Sequence, residues 1–342
     1  MKKIALALML FALASCDKTN DDNSVVSQKF VHKYGFEISQ KEWQNRNSEG
    51  QVISTLQDGR VFSQSFTEGK LQGVTTYTYP DSLIVEKALY YDEGTLQKIV
   101  LHDNSGIPFY EEVYDYDNQK TITIWNEKGV PIRKEEYKKS LLRFGEYFNP
   151  QNELESKIEE GNGFRICRDR KGTVVSKDLF QDGKLLTRTT FFENGNIQGE
   201  TSYNNYSLHG EQKKYAINGN LVLQQNFKNG ELDGVKLSFR NNQKILEIPF
   251  NNGKKHGIEK HYDNEGSLTA EIHWENNKRH GSQREFSDEN THITWFFRGK
   301  KVSPDRFELM EFEERLMADL KDNNINYPFE VLDLTTDEDS NF

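Results

Sequence analysis

The sequence predicts an all-β fold: an elongated antiparallel meander of stacked β-hairpin repeats, about 23–24 residues each, ended by a C-terminal capping helix. Three observations predict it. Glycines at positions 210, 234, 257 and 281 recur at spacings of 24, 23 and 24. Aromatic residues keep step with them, Tyr215, Phe239, Tyr262 and Phe286 five positions after and Tyr203, Phe227, Phe250 and Trp274 seven before. Turn formers such as Asn218-Gly219 and Asn229-Gly230 punctuate the copies at points where positive φ costs little.

Composition narrows the class. Of 342 residues only 35% are hydrophobic, yet 12% are aromatic, so apolar surface comes in few, large pieces. Two cysteines exclude a disulfide scaffold, and the lack of long apolar runs beyond the first fifteen residues excludes a multi-span membrane protein. So many regularly placed rings can bury surface that disorder throughout is also excluded.

Residues 1–15 read as a lipoprotein signal peptide. Lys2 and Lys3 form the charged start, Ile4 to Leu13 the short apolar run, and Ala14-Ser15 the small residues before Cys16. Leu13-Ala14-Ser15-Cys16 resembles the lipobox of bacterial lipoproteins, which implies cleavage before Cys16 and lipid attachment to it. Acyl chains hold a protein at a bilayer through ~0.8 kcal/mol per buried CH₂. Residues 16–28, the lipidated cysteine and a stretch rich in Asp, Asn and Ser, read as a flexible tether. Cys167, with no neighbour pattern that suggests activation, reads as packed or half-buried.

The repeat array is expected over residues 29–303. Its turn landmark runs upstream through Gly195, Gly172, Asn152, Gly129, Gly106, Ser82 and Gly59, mostly in steps of 23 or 24 residues. Each copy reads as two strands, like Glu211–Tyr215 and Leu221–Phe227, joined at Asn218-Gly219. A lone hairpin is marginal in water, so each copy must lean on its neighbour, with nearest-neighbour stabilisation and no single globular core. The register is degenerate around 140–165 and undefined before Gly59.

The pattern Gly-x4-Tyr-x3-Gly-x-Leu…Phe-x2-Gly-x3-Gly, as it stands from Gly210 to Gly234, resembles the variant MORN repeat, found in bacterial proteins that include the YwqK-type antitoxin family. The resemblance covers roughly residues 59 to 303 and implies a hairpin array used for binding, without catalytic machinery. Gln243 and Asn290 in the turn slot, and the short copy near Gly172, depart from the pattern.

Residues 304–342 read as a helix followed by an acidic tail. Ser303 is an N-cap and Pro304 a first helical residue, with Phe307, Met310, Leu316, Met317 and Leu320 as an apolar stripe. Such a helix covers the last strand or binds a partner. Twelve acidic against three basic residues give this segment −9 of the chain's −10, which favours cationic partners and argues against nucleic acid.

No sequence motif announces chemistry: P-loop, Gly-x-Ser-x-Gly and His-Glu-x-x-His patterns are missing from the chain. His209, His256 and His280, with Asp233 in the equivalent slot, invite a metal reading. Equivalent residues of successive hairpins lie ~9.5 Å apart at ~4.7 Å per strand, too far for one ion with ligands at ~2.1 Å. They read instead as residues of the repeat, and the scattered carboxylates of an open sheet are expected to keep ordinary pKa values. The sequence therefore points to a lipid-anchored, non-enzymatic protein of the bacterial envelope, on the outer membrane and facing periplasm or surface, with no catalytic, cofactor or metal residues. Its expected partner is a protein, in immunity or antitoxin-like form a toxin, with the membrane engaged through Cys16. The alternative is a cell-wall glycan or peptidoglycan binder.

Overall fold

The computed structural model describes residues 24–322 except position 288. Cys16, the signal segment and the tail from 323 to 342 lie outside the described residues. The chain divides at Glu231 and Leu232 into two compact units. Both are antiparallel meanders of hairpins, so the all-β fold expected from the repeat is the fold observed.

In the first unit the opening strand, Val25–His32, begins inside the stretch read as tether and pairs with Gly50–Leu56. A short helix, Gln40–Asn45, interrupts the strands, which the repeat pattern did not foretell. Ser39 and Glu42 form a capping box at its start, and Trp43 packs on Phe30 and Phe66. Each strand then pairs with the next, through Ser207–Tyr215 and Leu221–Lys228. The second unit runs from Gly234–Arg240 to Lys300–Val302 and ends in the helix Pro304–Asp322.

The periodic residues have identifiable jobs. Each landmark glycine faces a landmark aromatic across the ladder: Gly210 opposite Phe227 in the first unit, Gly234 opposite Phe250 and Gly257 opposite Trp274 in the second. All three glycines have φ between 86° and 110°, and a Cβ would crowd Ser202 at Gly210 and Pro249 at Gly257, so glycine is required there by the backbone and its neighbours. Tyr215, Phe239 and Tyr262 sit at register shifts, so the same rings mark one β-bulge per copy and add local twist.

The residue before the glycine clamps the following hairpin. Within the first unit the carbonyl of Leu208 accepts from the Gly230 amide at 2.8 Å, and His209 Nδ1 accepts from the Asn229 amide at 3.5 Å. Gln72 and Leu71 repeat this on Glu93 and Gly94, and Asn162 and Gly161 on Asp182 and Gly183. In the second unit Asp233 and Leu232 serve Asn252 and Gly253, and His280 and Arg279 serve Arg298 and Gly299. Both amides of the tight turn are thereby satisfied by the copy before it.

Several of the other turns use Asp or Asn three residues before the landmark glycine. Asp103 Oδ1 accepts from Ser105 and Ile107, Asn126 Oδ1 from Lys128 and Val130, and Asp263 Oδ1 from Glu265 and Ser267. Gln243 departs from this pattern for a structural reason: it begins the strand Gln243–Asn251, after a two-residue turn at Asn241-Asn242 with φ of 49° and 65°.

Burial is not evenly spread. Leu142, Tyr147, Ile158, Phe180 and Leu185 form one buried cluster in the first unit, across the stretch where the repeat is degenerate. This corrects the expectation of purely nearest-neighbour packing. Arg165 Nη1 lies 3.5 Å from Glu135 Oε1, although two strands, Leu141–Phe148 and Leu154–Glu159, separate theirs. A flat sheet would hold them ~14 Å apart at ~4.7 Å per strand. The sheet therefore coils here until one face meets itself. A bond of 2.7 Å from Arg170 Nη2 to Asp103 Oδ2, 67 residues apart, ties turns across the same coil.

Candidate functional site

The coiled face carries a charged cluster above the apolar one. Arg133, Glu135 and Tyr137 alternate along Pro131–Lys138 and so share a face. Arg165, Asp178 and Arg188 are direct cross-strand partners on three successive strands. Asp178 is fully buried. Its Oδ2 accepts from Arg165 Nε at 3.0 Å and Nη2 at 2.7 Å, and from Arg188 Nη2 at 2.9 Å. Oδ1 accepts from Arg188 Nε at 2.8 Å. Glu135 accepts from the hydroxyls of Tyr137 at 2.8 Å and Tyr147 at 3.0 Å.

Burial would raise both carboxyl groups, but their partners prevail. Arg133, Arg165 and the two tyrosine hydroxyls hold Glu135 below the usual carboxylate range. Arg188 and Arg165 do the same for Asp178. Burial and the Glu135 charge push the Tyr137 and Tyr147 hydroxyls up, so they stay protonated donors. The expectation of ordinary carboxylates on an open sheet fails here because coiling of the sheet buries Glu135 and Asp178 among arginines.

Beside the cluster lies a cavity of about 500 Å³. Ile122, Leu142, Phe180 and Leu185 provide apolar wall, and Arg133, Arg165 and Arg188 bring cationic groups to it. Cys167 also lines it, with its sulfur 3.4 Å from Arg133 Nη1. Half-burial of Cys167 agrees with the sequence reading. Its basic neighbour, however, comes from a strand 34 residues away, beyond any local pattern.

Three of the four slots that invited a metal reading have structural side-chain roles, and at His256 the backbone amide bonds the Pro249 carbonyl. His209 and Asp233 cap turns, and His280 caps one through Nδ1 while Nε2 lies 2.6 Å from Glu311 Oε1 on the C-terminal helix. Among the described residues no three His, Cys, Asp or Glu side chains gather as a metal site. Three of the four tryptophans are engaged within the protein: Trp43 is buried, Trp274 lies beneath Lys255 and Arg279, and Trp295 packs on Phe307.

The second unit ends in a surface of another kind. Pro304 starts the helix as expected, with Ser303 Oγ accepting from the Arg306 amide. Phe307 inserts among Trp295, Phe297 and His280, and Arg298 pairs with Glu314. The helix thus packs on the face of Thr291–Phe297 through its first turns. Leu309, Phe312, Leu316 and Met317 remain 45–59% exposed at helical spacing. Sequence reasoning placed Leu316 and Met317 on the packed stripe and missed Leu309 and Phe312. Among the described residues no helix is long and apolar enough to cross a membrane.

The MORN repeat variant family matches three segments, residues 184–205, 208–229 and 255–276. These are hairpins with the longer turn, whereas the copy after Gly234 has the shortened one at Asn241-Asn242. Curated proteins give no match. Among solved structures, a porin-like protein from Bacteroides uniformis is similar at 10% identity over 78% of this chain and 92% of that one, with a TM-score of 0.15. A chain of the TcdB2-TccC3-Cdc42 structure is 11% identical over 76% of this chain and 19% of that one, with a TM-score of 0.15. BamB from Moraxella catarrhalis is 8% identical over 73% and 83%, with a TM-score of 0.14. At those scores none of the three bears on fold or function.

Proposed function

We propose that this is a non-enzymatic recognition protein, held at the bacterial envelope by lipid on Cys16, whose hairpin array presents binding surfaces to a protein partner. The observation that carries the reading is the uncovered stripe Leu309, Phe312, Leu316 and Met317. An amphipathic helix with apolar residues at this spacing is suited to a partner's groove. Residues 304–322 hold seven acidic and three basic side chains, so the groove it fits has a basic rim. Matches to the variant MORN repeat support a binding role. Immunity to a toxin acting at the envelope is the more specific form of the reading, motivated by the antitoxin resemblance. The paired state of Glu135 and Asp178 supports binding over catalysis, since neither is poised to exchange a proton near neutral pH. A glycan-binding role would need free stacking rings; Trp43, Trp274 and Trp295 are already engaged, which leaves exposed rings such as Tyr34 and Tyr116 as the candidates for that second reading.

The test is affinity capture from solubilised envelopes with the full chain and a Phe312→Glu variant. A stoichiometric partner kept by the first and lost by the second supports the reading. Equal capture by both, or retention on purified peptidoglycan alone, refutes it. Cys16→Ser should move the protein from membrane to soluble fractions, and persistent membrane association would refute the anchor.

A further inference from the structure

The charged cluster does not balance. Three guanidinium groups, Arg133, Arg165 and Arg188, face two carboxylates, Glu135 and Asp178. Neighbouring cations are already matched: Lys120 bonds Glu112 at 2.8 Å, and Arg168 forks onto Glu155. Arg165 and Arg188 hold Asp178 through two bonds each. The surplus falls on Arg133. Its Nε is buried without a hydrogen-bond partner, and the nearest carboxylate oxygen, Glu135 Oε2, stands 3.8 Å away. Its Nη1 donates to the sulfur of Cys167, a weak acceptor.

A part-buried cation without a hydrogen-bonded anion is costly, and an incoming carboxylate accepting from guanidinium N–H groups relieves it. We propose that the cavity binds an organic acid: one carboxylate, received by Arg133, on an apolar body seated against Ile122, Leu142 and Leu185. The single surplus charge selects a monoanion over a phosphate. About 500 Å³ suits a body of one aromatic ring with a short chain. This site lies in the first unit and does not depend on the helix surface proposed above.

A free acid and the terminal carboxylate of a peptide chain present the same group. The test titrates the full-length protein with 3-phenylpropionate and, as neutral control, 3-phenylpropanamide, by calorimetry. A hexapeptide ending in phenylalanine, with a free or amidated terminus, forms the second arm. A free acid or free terminus bound at least tenfold more tightly than its amide supports the site, and the arm that binds identifies the source. Arg133→Met should abolish that preference while leaving Arg165 and Arg188 balanced against Glu135 and Asp178. Val175→Trp, at a part-exposed position of the wall, should block entry with Arg133 intact. Alkylation of Cys167 by iodoacetamide, followed by peptide mass, should slow when the acid is bound. Equal affinity for acid and amide in both arms, or an unchanged preference in Arg133→Met, overturns the proposal.

Discussion

Replacing Asp178 by Asn tests whether the coiled section of the first unit is held by its ion pairs. Asp178 is wholly buried and accepts four N–H bonds from two arginines. Asparagine keeps the shape but leaves one acceptor oxygen and turns an NH₂ group toward guanidinium donors. At least one arginine then loses its counter-charge, and breaking a buried pair in this way costs about 3–5 kcal/mol. An array need not unfold in one step, so a single melting temperature is the wrong readout. Hydrogen exchange with peptide resolution is the right one. Amides of Asn162–Arg168, Val174–Gln181 and Lys184–Phe191 should exchange roughly 10² to 4 × 10³ times faster, at tenfold per ~1.4 kcal/mol. The hairpin Thr291–Phe297 with Lys300–Val302 should be unchanged. Equal acceleration in both places, or none in either, would refute the reasoning.

The cluster also sets an acid limit. Glu135 and Asp178 are held below their ordinary ranges, so on acidification the unfolded chain takes up their protons first. Their stabilisation is complete above the unfolded values of about 4 and is lost as pH falls through the depressed folded values. Exchange protection at 162–191 should therefore drop below about pH 4 while remaining flat from pH 5 to 8. Turn glycines should differ sharply. Gly161→Ala would put a Cβ 2.3 Å from the Gly183 amide nitrogen, whereas one at Gly219 meets nothing within 4 Å. Both have positive φ, so Gly219→Ala should cost about 1–2 kcal/mol for the backbone alone, and Gly161→Ala clearly more, read by hydrogen exchange of the flanking strands. Phe250→Ala removes a part-buried ring opposite Gly234 and should cost about 1.5–3 kcal/mol. Its effect on exchange should be confined to Gly234–Arg240, Gln243–Asn251 and Gly257–Tyr262.

The hairpins could be read from the sequence because their causes are local. A glycine opposite a ring, an aromatic at a bulge and an Asn-Gly pair at a turn each leave a residue type at a fixed spacing. A further local signal lies at the turns: Asp103, Asn126, Asn149, Asp169 and Asp263 all stand three residues before a landmark. The charged cluster has no such signal. Arg165 reaches Glu135 from a strand separated from it by two others, and only the coiling of the sheet joins them. Coiling is set by summed twist over many bulged strands, which no motif encodes. The degenerate stretch around 140–165 was visible as a loss of pattern. That loss coincides with the stretch whose side chains serve the cluster and the buried core.

The clamp that joins one hairpin to the next depends on main-chain atoms and one short acceptor side chain before a glycine. A gene that gains or loses a whole copy leaves every remaining turn with its donor and its acceptor. An insertion of fewer residues would strand two amides at once. Length is therefore free to drift in quanta of one hairpin, and chains of different reach can arise by unequal crossing-over without any new contact having to be invented.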